Sequence, residues 1–414
     1  MKRINFDLVI MGATGFTGKL VVEYILKHYG LHNKNFSWAI ASRNPIKLKS
    51  LKESLKKIDP ESLNIPEIVA DCHDQKSLDK MTSQCRIIIS TVGPYLKYGH
   101  LLVKSCAENG THYCDLTGEV PFIKESIDQF DKIAKENNCK IIHSCGFDSV
   151  PSDLGVLLLQ DEAKKRFNLP CERIKLYVHG MGGGFSGGTI ASGIHVYQYV
   201  KNKPHLKKAL RDPYSLVPDK VQNIKVSSPS LRSVKWDSEV GRWICPFVMA
   251  GINTKIVRRS NGMMDNAYGN NFLYNEVYSF SKGLTGFLKA FSMTFSLAVT
   301  IFFMKYNFSL KLLQKFFFPD PGQGPSREKR ESGFFRLRLV GYTKNDQMLS
   351  LFVEGDSDPG YSATAKMIAE SALSIILNEQ DIPKAYGILT PASGIGETLE
   401  KRLKDKGIRF LPEN

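Results

Sequence analysis

The residues with the clearest chemical use are three glycines in a short run near the start of the chain. The run consists of Gly12, Ala13, Thr14, Gly15, Phe16, Thr17 and Gly18. It joins an apolar, strand-like segment to a segment with helical spacing. In this context the first glycine allows a tight turn, the second lets backbone amides approach a pyrophosphate, and the third permits close helix–sheet contact. The run therefore predicts a dinucleotide site; the alternative is a glycine-rich turn that binds nothing.

Ser42 and Arg43, at the end of the second predicted strand, indicate which dinucleotide would bind. NAD sites usually place Asp or Glu there, roughly 20 residues beyond the glycines, to hold the ribose 2′-hydroxyl. A carboxylate would repel a 2′-phosphate, whereas a serine hydroxyl and a guanidinium can donate hydrogen bonds to it. The sequence therefore favours NADP over NAD. The alternative for Arg43 is a solvated loop charge.

Two further turns complete the predicted cofactor site. Asp71 follows the third strand, where its carboxylate could reach the adenine amino group; alternatively, Asp71 or Asp74 caps a helix. Ligands of open parallel sheets bind at the carboxyl ends of the strands, so the nicotinamide and its ribose are expected at the turn after the fourth strand. That turn contains Thr91, Val92, Gly93 and Pro94.

Hydride transfer also needs a group that donates to, or polarises, the charge developing on the substrate. The candidates at strand ends are Tyr95, Asp115, Glu119 and Asp148. We predict that Tyr95 and Asp148 are catalytic, with Tyr95 beside the nicotinamide and Asp148 orienting a donor. The alternatives are aromatic packing for Tyr95 and a helix cap for Asp148. No group of residues with the spacing of metal ligands is found, so no metal is expected. The sequence also contains no nucleophile elbow.

A second glycine-rich segment occupies residues 180–188. We predict a lid whose glycines allow close approach to the cofactor; a phosphate-binding nest is the alternative. The helix expected after it contains His195, which could donate a proton or, alternatively, only pack or face solvent.

The elements that must position these residues alternate between apolar strands and amphipathic helices. Such alternation is typical of a parallel sheet covered on both faces. We therefore predict an α/β fold whose N-terminal part is a doubly wound Rossmann sheet, with more strands at 341–355 and helices at 361–377 and 396–406. The predicted strands of the first part are Phe6–Met11, 36–41, 67–70, 86–91, 111–114 and 140–143.

Length and composition set the broad class. With 414 residues, 42% hydrophobic and 23% charged, the chain is expected to form two or three globular domains. Residues 1–150 have a net charge of +3 and the remainder +12, so the second part would attract anionic partners. The eight cysteines show no CxxC or zinc spacing, and no signal-peptide pattern precedes the glycines. An intracellular protein is expected.

The stretch 286–319 is both apolar and basic. Lys289 and Lys305 bracket an uncharged run, and Lys311 and Lys315 follow among phenylalanines. The uncharged run is shorter than the roughly 18–20 residues of a spanning helix. Aromatics flanked by lysines suit an interfacial helix pair on an anionic membrane. The alternatives are a dimer interface or the wall of a substrate tunnel.

Further motifs follow one another along the rest of the chain. Besides GATGFTG they are SRN at 42–44, STVGPYLKYG at 90–99, HYCDLTGE at 112–119, GFDSVPSD at 146–153, GFSGGT at 184–189, PGQGPS at 321–326, DPGY at 358–361 and LTPA at 389–392. Together they resemble the saccharopine dehydrogenase-like oxidoreductases, specifically the branch that includes trans-acting enoyl reductases of glycolipid assembly.

The resemblance implies a Rossmann domain, a second α+β domain that covers the cofactor cleft, and a C-terminal helix that returns to the first domain. We predict a Rossmann domain at 1–150, a substrate and oligomerisation domain at 151–390, and a helical segment at 391–414. Saccharopine reductases also use arginines to bind two amino-acid carboxylates, and no such set can be placed here.

The sequence thus predicts an NADP-dependent reductase that transfers a hydride to an apolar lipid or acyl-chain substrate in glycolipid metabolism. The alternatives are a saccharopine-type amino-acid dehydrogenase and a non-catalytic, cofactor-binding membrane scaffold or redox sensor. The expected partners are a small-molecule or lipid substrate, an anionic membrane surface and a second copy in a homodimer, but no nucleic acid. The expected location is cytoplasmic and peripheral to a membrane or lipid surface.

Overall fold

A computed structural model of the chain describes residues 4–182, 187–218, 230–303 and 324–413; for residues 187–191 it describes the backbone alone. The strands, in chain order, are β1 (Phe6–Met11), β2 (Trp38–Ser42), β3 (Glu67–Val69), β4 (Cys85–Ser90), β5 (His112–Asp115), β6 (Lys140–Ile142), β7 (Cys171–Gly182), β8 (Lys235–Asp237), β9 (Arg242–Pro246), β10 (Leu273–Phe280), β11 (Phe334–Thr343), β12 (Met348–Gly355), β13 (Gly387–Leu389) and β14 (Ile408–Glu413).

The α-helices of the described residues, in the same order, are α1 (Phe16–Tyr29), α2 (Pro45–Leu55), α3 (Gln75–Thr82), α4 (Tyr95–Tyr98), α5 (His100–Asn109), α6 (Val120–Glu136), α7 (Val150–Phe167), α8 (Gly187–Val200), α9 (Pro204–Arg211), α10 (Ala250–Met263), α11 (Leu284–Phe303), α12 (Arg327–Glu331), α13 (Thr364–Leu377), α14 (Pro391–Gly394) and α15 (Glu397–Lys404). A 3-10 helix lies at Pro60–Asn64 and a π-helical turn at Pro359–Ala363.

The first sheet is parallel throughout, with the strand order β13-β6-β5-β4-β1-β2-β3. Along β1, Leu8 and Ile10 enter one apolar cluster while Val9 and Met11 enter another. Both faces of the central strands are therefore buried, which is why they consist of continuous apolar runs rather than alternating ones. This confirms the predicted doubly wound Rossmann sheet.

The second sheet is mixed, with the order β14-β12-β11-β7-β10-β9-β8, and only the pair β10–β7 is parallel. The helix α7 begins after β6 of the first sheet and packs against β7, β11 and β12 of the second. The helix α10 packs on β10 and α7. The predicted second α+β domain is thus present, and α7 carries the chain into it.

The end of the chain returns to both sheets. The helix α13 packs on α1, β4 and β5, and β13 adds a seventh strand beside β6, which the sequence did not predict. The last strand, β14, pairs with β12 of the second sheet; the sequence predicted a helix at 396–406 within a helical segment 391–414 and no strand after it. Ile408 and Phe410 are buried while Arg409 is exposed, so the period is that of a strand. The three domain boundaries stay a prediction.

A buried carboxylate ties the returning helices to the first domain. Glu370 of α13 accepts hydrogen bonds from the hydroxyls of Tyr24 at 2.5 Å and Tyr29 at 2.7 Å. Arg402 of α15 completes the set through its Nε, 2.7 Å from Glu370 Oε2. One charge is thereby matched by one counter-charge and two further donors, as a buried carboxylate requires.

The helix α11 leaves most of its apolar side chains uncovered. Only Gly286 and Ala290 are buried, where the helix packs on β9 and β10. Within the described residues it is the one helix long and apolar enough to cross a membrane by length and composition. Residues 304–319 of the predicted apolar stretch lie outside the described residues.

Candidate cofactor cleft and active site

Gly12 and Gly18 are required by packing inside the first domain. Gly12 has φ +86°, and a Cβ there would lie 2.7 Å from Val92 Cγ2. A Cβ on Gly18 would lie 2.1 Å from the carbonyl oxygen of Gly12, so α1 can approach the loop this closely only without a side chain. These glycines set the turn and the contact between helix and sheet.

Gly15 differs because no described residue packs closely enough to require a glycine there. Its backbone is extended, with φ −75° and ψ 166°, and it is exposed. A Cβ would meet only the carbonyl oxygen of Gly12, at 3.3 Å. The first turn of α1 has no acidic residue and no side-chain cap, so its first amides have no side-chain partner among the described residues. This cradle fits the pyrophosphate of a dinucleotide.

The end of β2 contacts the glycine loop. The hydroxyl oxygens of Thr14 and Ser42 are 3.0 Å apart, and the amide of Asn44 donates to Ser42 Oγ at 3.4 Å. Arg43 is exposed, and no described carboxylate pairs with it. Its guanidinium is available for a 2′-phosphate, which an acidic residue at this point would repel. The residues present therefore fit NADP.

Asp71 and Asp74 both serve local turns. Asp74 caps α3 by accepting from the amide of Lys76 at 3.1 Å, and Asp71 Oδ1 accepts from the amide of His73 at 3.0 Å. Of the two aspartates, Asp74 is therefore the helix cap. Asp71 is partly exposed and keeps its second carboxylate oxygen free of described partners, so contact with adenine stays a prediction.

The turn after β4 lies against the glycine loop. Thr91 Oγ1 lies 3.2 Å from the carbonyl oxygens of both Met11 and Gly12, so the hydroxyl fixes the loop to the neighbouring strand end. Val92 is partly exposed beside it, and the Gly93–Pro94 peptide bond is cis. The nicotinamide half of the cofactor is expected here, as the sequence predicted, because the strand ends of β1 and β4 meet at this edge.

Three of the four candidate acid or base groups are engaged within the first domain. The Tyr95 hydroxyl donates to Ser90 O at 3.1 Å and accepts from the amide of Leu116 at 3.2 Å, and burial raises the pKa of Tyr95 well above its usual range. Glu119 accepts from the amides of Tyr95 and Leu96. These contacts fix the position of the Tyr95 hydroxyl and of the turn around it. The catalytic role of Tyr95 stays a prediction.

Asp115 is enclosed in the same way. Its carboxylate accepts from the hydroxyl of Tyr113 at 3.0 Å and from the amides of Thr117 and Ser144, and it lies 2.7 Å from His143 Nδ1. With every lone pair occupied and no exposed surface, Asp115 orders the strand ends rather than reaching a ligand.

Asp148 differs from the other three candidates. Its side chain is partly exposed, and no described residue hydrogen-bonds or pairs with its carboxyl group. Surrounding protein raises the pKa of Asp148 to about 6 by desolvation. Its neighbours reach the second domain: Phe147 makes an edge-to-face contact with Phe335, with 4.8 Å between ring centroids, and Ser149 Oγ lies 3.0 Å from Asn253 Oδ1. Asp148 therefore lies at the junction of the two domains, where a proton donor would be expected.

The segment around the second glycine-rich run packs on the first domain through α8. Ser192 Oγ donates to Glu119 Oε1 at 2.7 Å, so α8 is held beside α4. His195 is partly exposed and stacks on Tyr199 at 6.1 Å. Residues 183–186 of the predicted lid lie outside the described residues, and the lid role stays a prediction.

Sequence reasoning missed the residues that the second domain brings to the cleft. The guanidinium of Arg330 lies over the ring of Phe16 at 5.3 Å, and Tyr361 contacts the same ring at 4.7 Å. Phe16 opens the first turn of α1, so a cation from the second domain stands beside the pyrophosphate cradle. The sequence showed a motif shortly before Arg330, at 321–326, and a motif that contains Tyr361, at 358–361. Neither motif shows that these residues contact Phe16. Among the described residues, no group of His, Cys, Asp and Glu could hold a metal ion.

Comparison with known proteins agrees with this geometry. Residues 8–142 match the family model of the saccharopine dehydrogenase NADP binding domain. A putative trans-acting enoyl reductase of Mycobacterium tuberculosis is 36% identical over 98% of this chain and 96% of its own. A trans-acting enoyl reductase of Mycobacterium ulcerans is 32% identical over 98% and 97%.

Among solved structures, apo saccharopine dehydrogenase (L-Glu forming) from Saccharomyces cerevisiae superposes with a TM-score of 0.52 at 12% identity. The superposition covers 99% of this chain and 100% of that one. At this identity the similarity shows the shared fold, a Rossmann sheet followed by a second mixed sheet.

Proposed function

The chain belongs to the saccharopine dehydrogenase-like oxidoreductases, in the group of the trans-acting enoyl reductases, and we propose that it reduces a conjugated double bond in an apolar acyl chain. The oxidoreductase class and the NADP-binding domain come with the family. The acyl substrate and a role in glycolipid metabolism are the proposal. The observation that carries it is an NADP cradle in a chain that also exposes a long apolar helix.

Bound NADPH would supply the hydride. The free amides of α1 would bind its pyrophosphate, with Gly15 leaving room for it, and Arg43 would bind the 2′-phosphate. Thr91 holds the turn on which the nicotinamide half would rest. Each of these groups acts by binding and orientation, which is the protein's usual share in cofactor chemistry.

The apolar substrate is inferred from α11. The helix has 20 residues, and of its 18 most apolar consecutive residues only 11% are buried. Phe291 and Phe295, one turn apart, are more than half exposed and stack on each other. Exposed apolar patches of this extent mark contacts with lipid or protein in soluble folds.

Charge and aromatic residues favour lipid as the contact. Lys282 and Lys289 are exposed at the start of α11. Beside them, Trp236 makes an edge-to-face contact with Trp243, which in turn makes one with Phe287 of α11. Tryptophan and lysine at one end of an apolar helix are typical of the boundary between headgroups and acyl chains. With the chain's net charge of +15, we propose that α11 lies in an anionic lipid surface.

The reductase proposal is tested by NADPH absorbance with trans-2-enoyl thioesters of short and long chain length. We expect substrate-dependent oxidation that becomes more efficient with chain length. Oxidation only with an amino acid and a keto acid would assign the chain to saccharopine-type dehydrogenases. Tight NADPH binding without turnover of any enoyl thioester would instead favour the scaffold or redox-sensor alternative.

The lipid contact is tested by flotation with anionic and neutral liposomes at low and high salt. We expect flotation with anionic liposomes, weakened by salt and abolished in the double variant Phe291→Asp/Phe295→Asp. The matched control is Met348→Asp, because Met348 on β12 is 53% exposed, as is Phe291. If the wild type stays in solution and the double variant only converts a dimer to a monomer, α11 is a subunit interface.

A further inference from the structure

One buried carboxyl group on β10 has no place in the cofactor site. Glu276 is 3% exposed, and its Oε1 accepts from the hydroxyl of Tyr274 at 2.8 Å. Its Oε2 accepts from Asn253 Nδ2 at 2.9 Å. It lies in a strand with ordinary alternation, so the sequence offered no motif to identify it.

An amide connects this carboxyl group to the junction of the domains. Asn253 of α10 donates through Nδ2 to Glu276 and accepts through Oδ1 from Ser149 Oγ. Both ends of the amide are therefore used, which fixes its orientation. Ser149 is the residue next to Asp148, so Glu276 is two hydrogen bonds and one peptide unit from the free carboxyl group described above.

We propose that Asp148 and Glu276 form an acid pair across the two domains, in which Asp148 gives a proton to the substrate and Glu276 is the positioning residue behind it. Asp148 has the donor role because its carboxyl group is partly exposed and without described partners. Glu276 has the positioning role because it is buried and both of its oxygens are occupied.

The charges around the pair keep a proton in place near neutral pH. Burial raises the pKa of Glu276 to about 7, and the charge of Asp148 adds to that increase. Three other ionisable groups lie nearby, on the elements that surround the pair: Asp153 on α7, Arg258 on α10 and Tyr274 on β10. Arg258 opposes the effect, but burial outweighs it. Two carboxyl groups that share a site lose their protons in separate steps, and the second loss is the harder.

The reaction, which rests on the proposed function, balances with this one proton. Hydride adds to the β carbon of the enoyl group, and the π electrons of the double bond move towards the carbonyl oxygen. The O–H bond of Asp148 then breaks as a C–H bond forms at the α carbon. The substrate gains two electrons and two hydrogens, NADPH becomes NADP⁺, and Asp148 is left as a carboxylate that solvent protonates again.

The direct test follows carboxyl protonation by infrared difference spectroscopy between pH 4 and 9, without substrate or cofactor. An Asp153→Asn background removes a third buried carboxyl group, whose pKa burial raises to about 7. We expect two titration steps. Glu276→Gln should remove the upper step and leave the lower one, whereas Asp148→Asn should remove the lower step and move the upper one to lower pH. An upper step that stays in place in Asp148→Asn would overturn the pair.

A second readout uses turnover once an enoyl substrate is identified. Asp148→Asn should lower kcat by about 100- to 10,000-fold, as expected for loss of a general acid. Because Asp148 loses its proton in the lower step, Glu276→Gln should keep the pH midpoint of the wild-type rate but lower kcat with KM unchanged; an unchanged kcat would give Glu276 only a structural role. If no enoyl thioester reacts, the proposed function fails while the infrared titration still decides the acid pair. If turnover occurs without coupled titration, the pair alone is refuted.

Discussion

Replacing Gly15 and Gly18 separately by alanine distinguishes a cofactor site from a glycine-rich turn. The two glycines are three residues apart in the same motif. A Cβ on Gly18 would lie 2.1 Å from Gly12 O, 2.8 Å from Gly12 C and 2.9 Å from Thr91 Oγ1. Two of these atoms belong to the backbone, so either α1 or the loop must shift. Overpacking of this kind typically costs about 1–3 kcal/mol of folding stability.

A Cβ on Gly15 would meet only Gly12 O, at 3.3 Å, and its φ of −75° suits alanine. Gly15→Ala should therefore change the stability of the cofactor-free protein by about 1 kcal/mol or less, the usual difference at a helix N-cap. The methyl group would nevertheless occupy the space of the pyrophosphate. Loss of one hydrogen bond to a charged phosphate costs about 1.5–3 kcal/mol, which weakens NADPH binding by about 10- to 150-fold.

The assay combines thermal unfolding without cofactor and NADPH titration by fluorescence for both variants. The expected pattern is crossed: Gly18→Ala unfolds at lower temperature, whereas Gly15→Ala keeps the wild-type transition but binds NADPH weakly. Wild-type affinity in Gly15→Ala would show that the motif is only a turn. Wild-type stability in Gly18→Ala would refute the packing argument.

Three further substitutions test other parts of the structure. Arg43→Ala should lower NADPH affinity by about 10- to 150-fold and leave NADH affinity unchanged, measured by fluorescence; equal losses for both cofactors would contradict a contact with the 2′-phosphate. Burial raises the pKa of Asp153 to about 7, so the native state holds this proton more tightly than the unfolded chain, whose pKa is about 3.9. The wild-type free energy of unfolding in urea should therefore decrease as the pH rises from about 4 to about 7. In Asp153→Asn this part of the pH dependence should be missing. Arg402→Leu should destabilise the protein by about 3–5 kcal/mol in urea, because it leaves the buried charge of Glu370 without its cation.

The first domain could be predicted well from the sequence because its information is local. The strands β1, β2 and β4 contain short apolar runs, and the glycine motif lies within seven residues of β1. The strand β13 was missed because Gly387–Leu389 is three residues long and pairs with β6, far away in sequence. The strand β14 was missed because it begins only two residues after the predicted helix 396–406 and pairs with β12, far away in sequence.

The candidate active site was predictable only in part, for the same reason. Gly12, Gly15 and Arg43 follow strands that pattern alone locates. Glu276 and Asn253 come together only when β10 packs beside α10, and neither lies in a recognisable motif. Tyr95 illustrates the opposite difficulty, because a sequence cannot show that its hydroxyl is already hydrogen-bonded on both sides.

The acid pair and the exposed helix meet on one strand. Side chains two residues apart in a strand share a face, so Glu276, Tyr278 and Phe280 lie on the same side of β10. Phe280 pairs with Trp243 of β9, and Trp243 makes an edge-to-face contact with Phe287 at the base of α11. Four residues of strand span about 13 Å, so a face with aromatic side chains of that length joins the exposed helix α11 to Glu276. An acyl chain that left a lipid surface along this face would bring its double bond towards the junction of the domains, where the hydride and the proton are needed together.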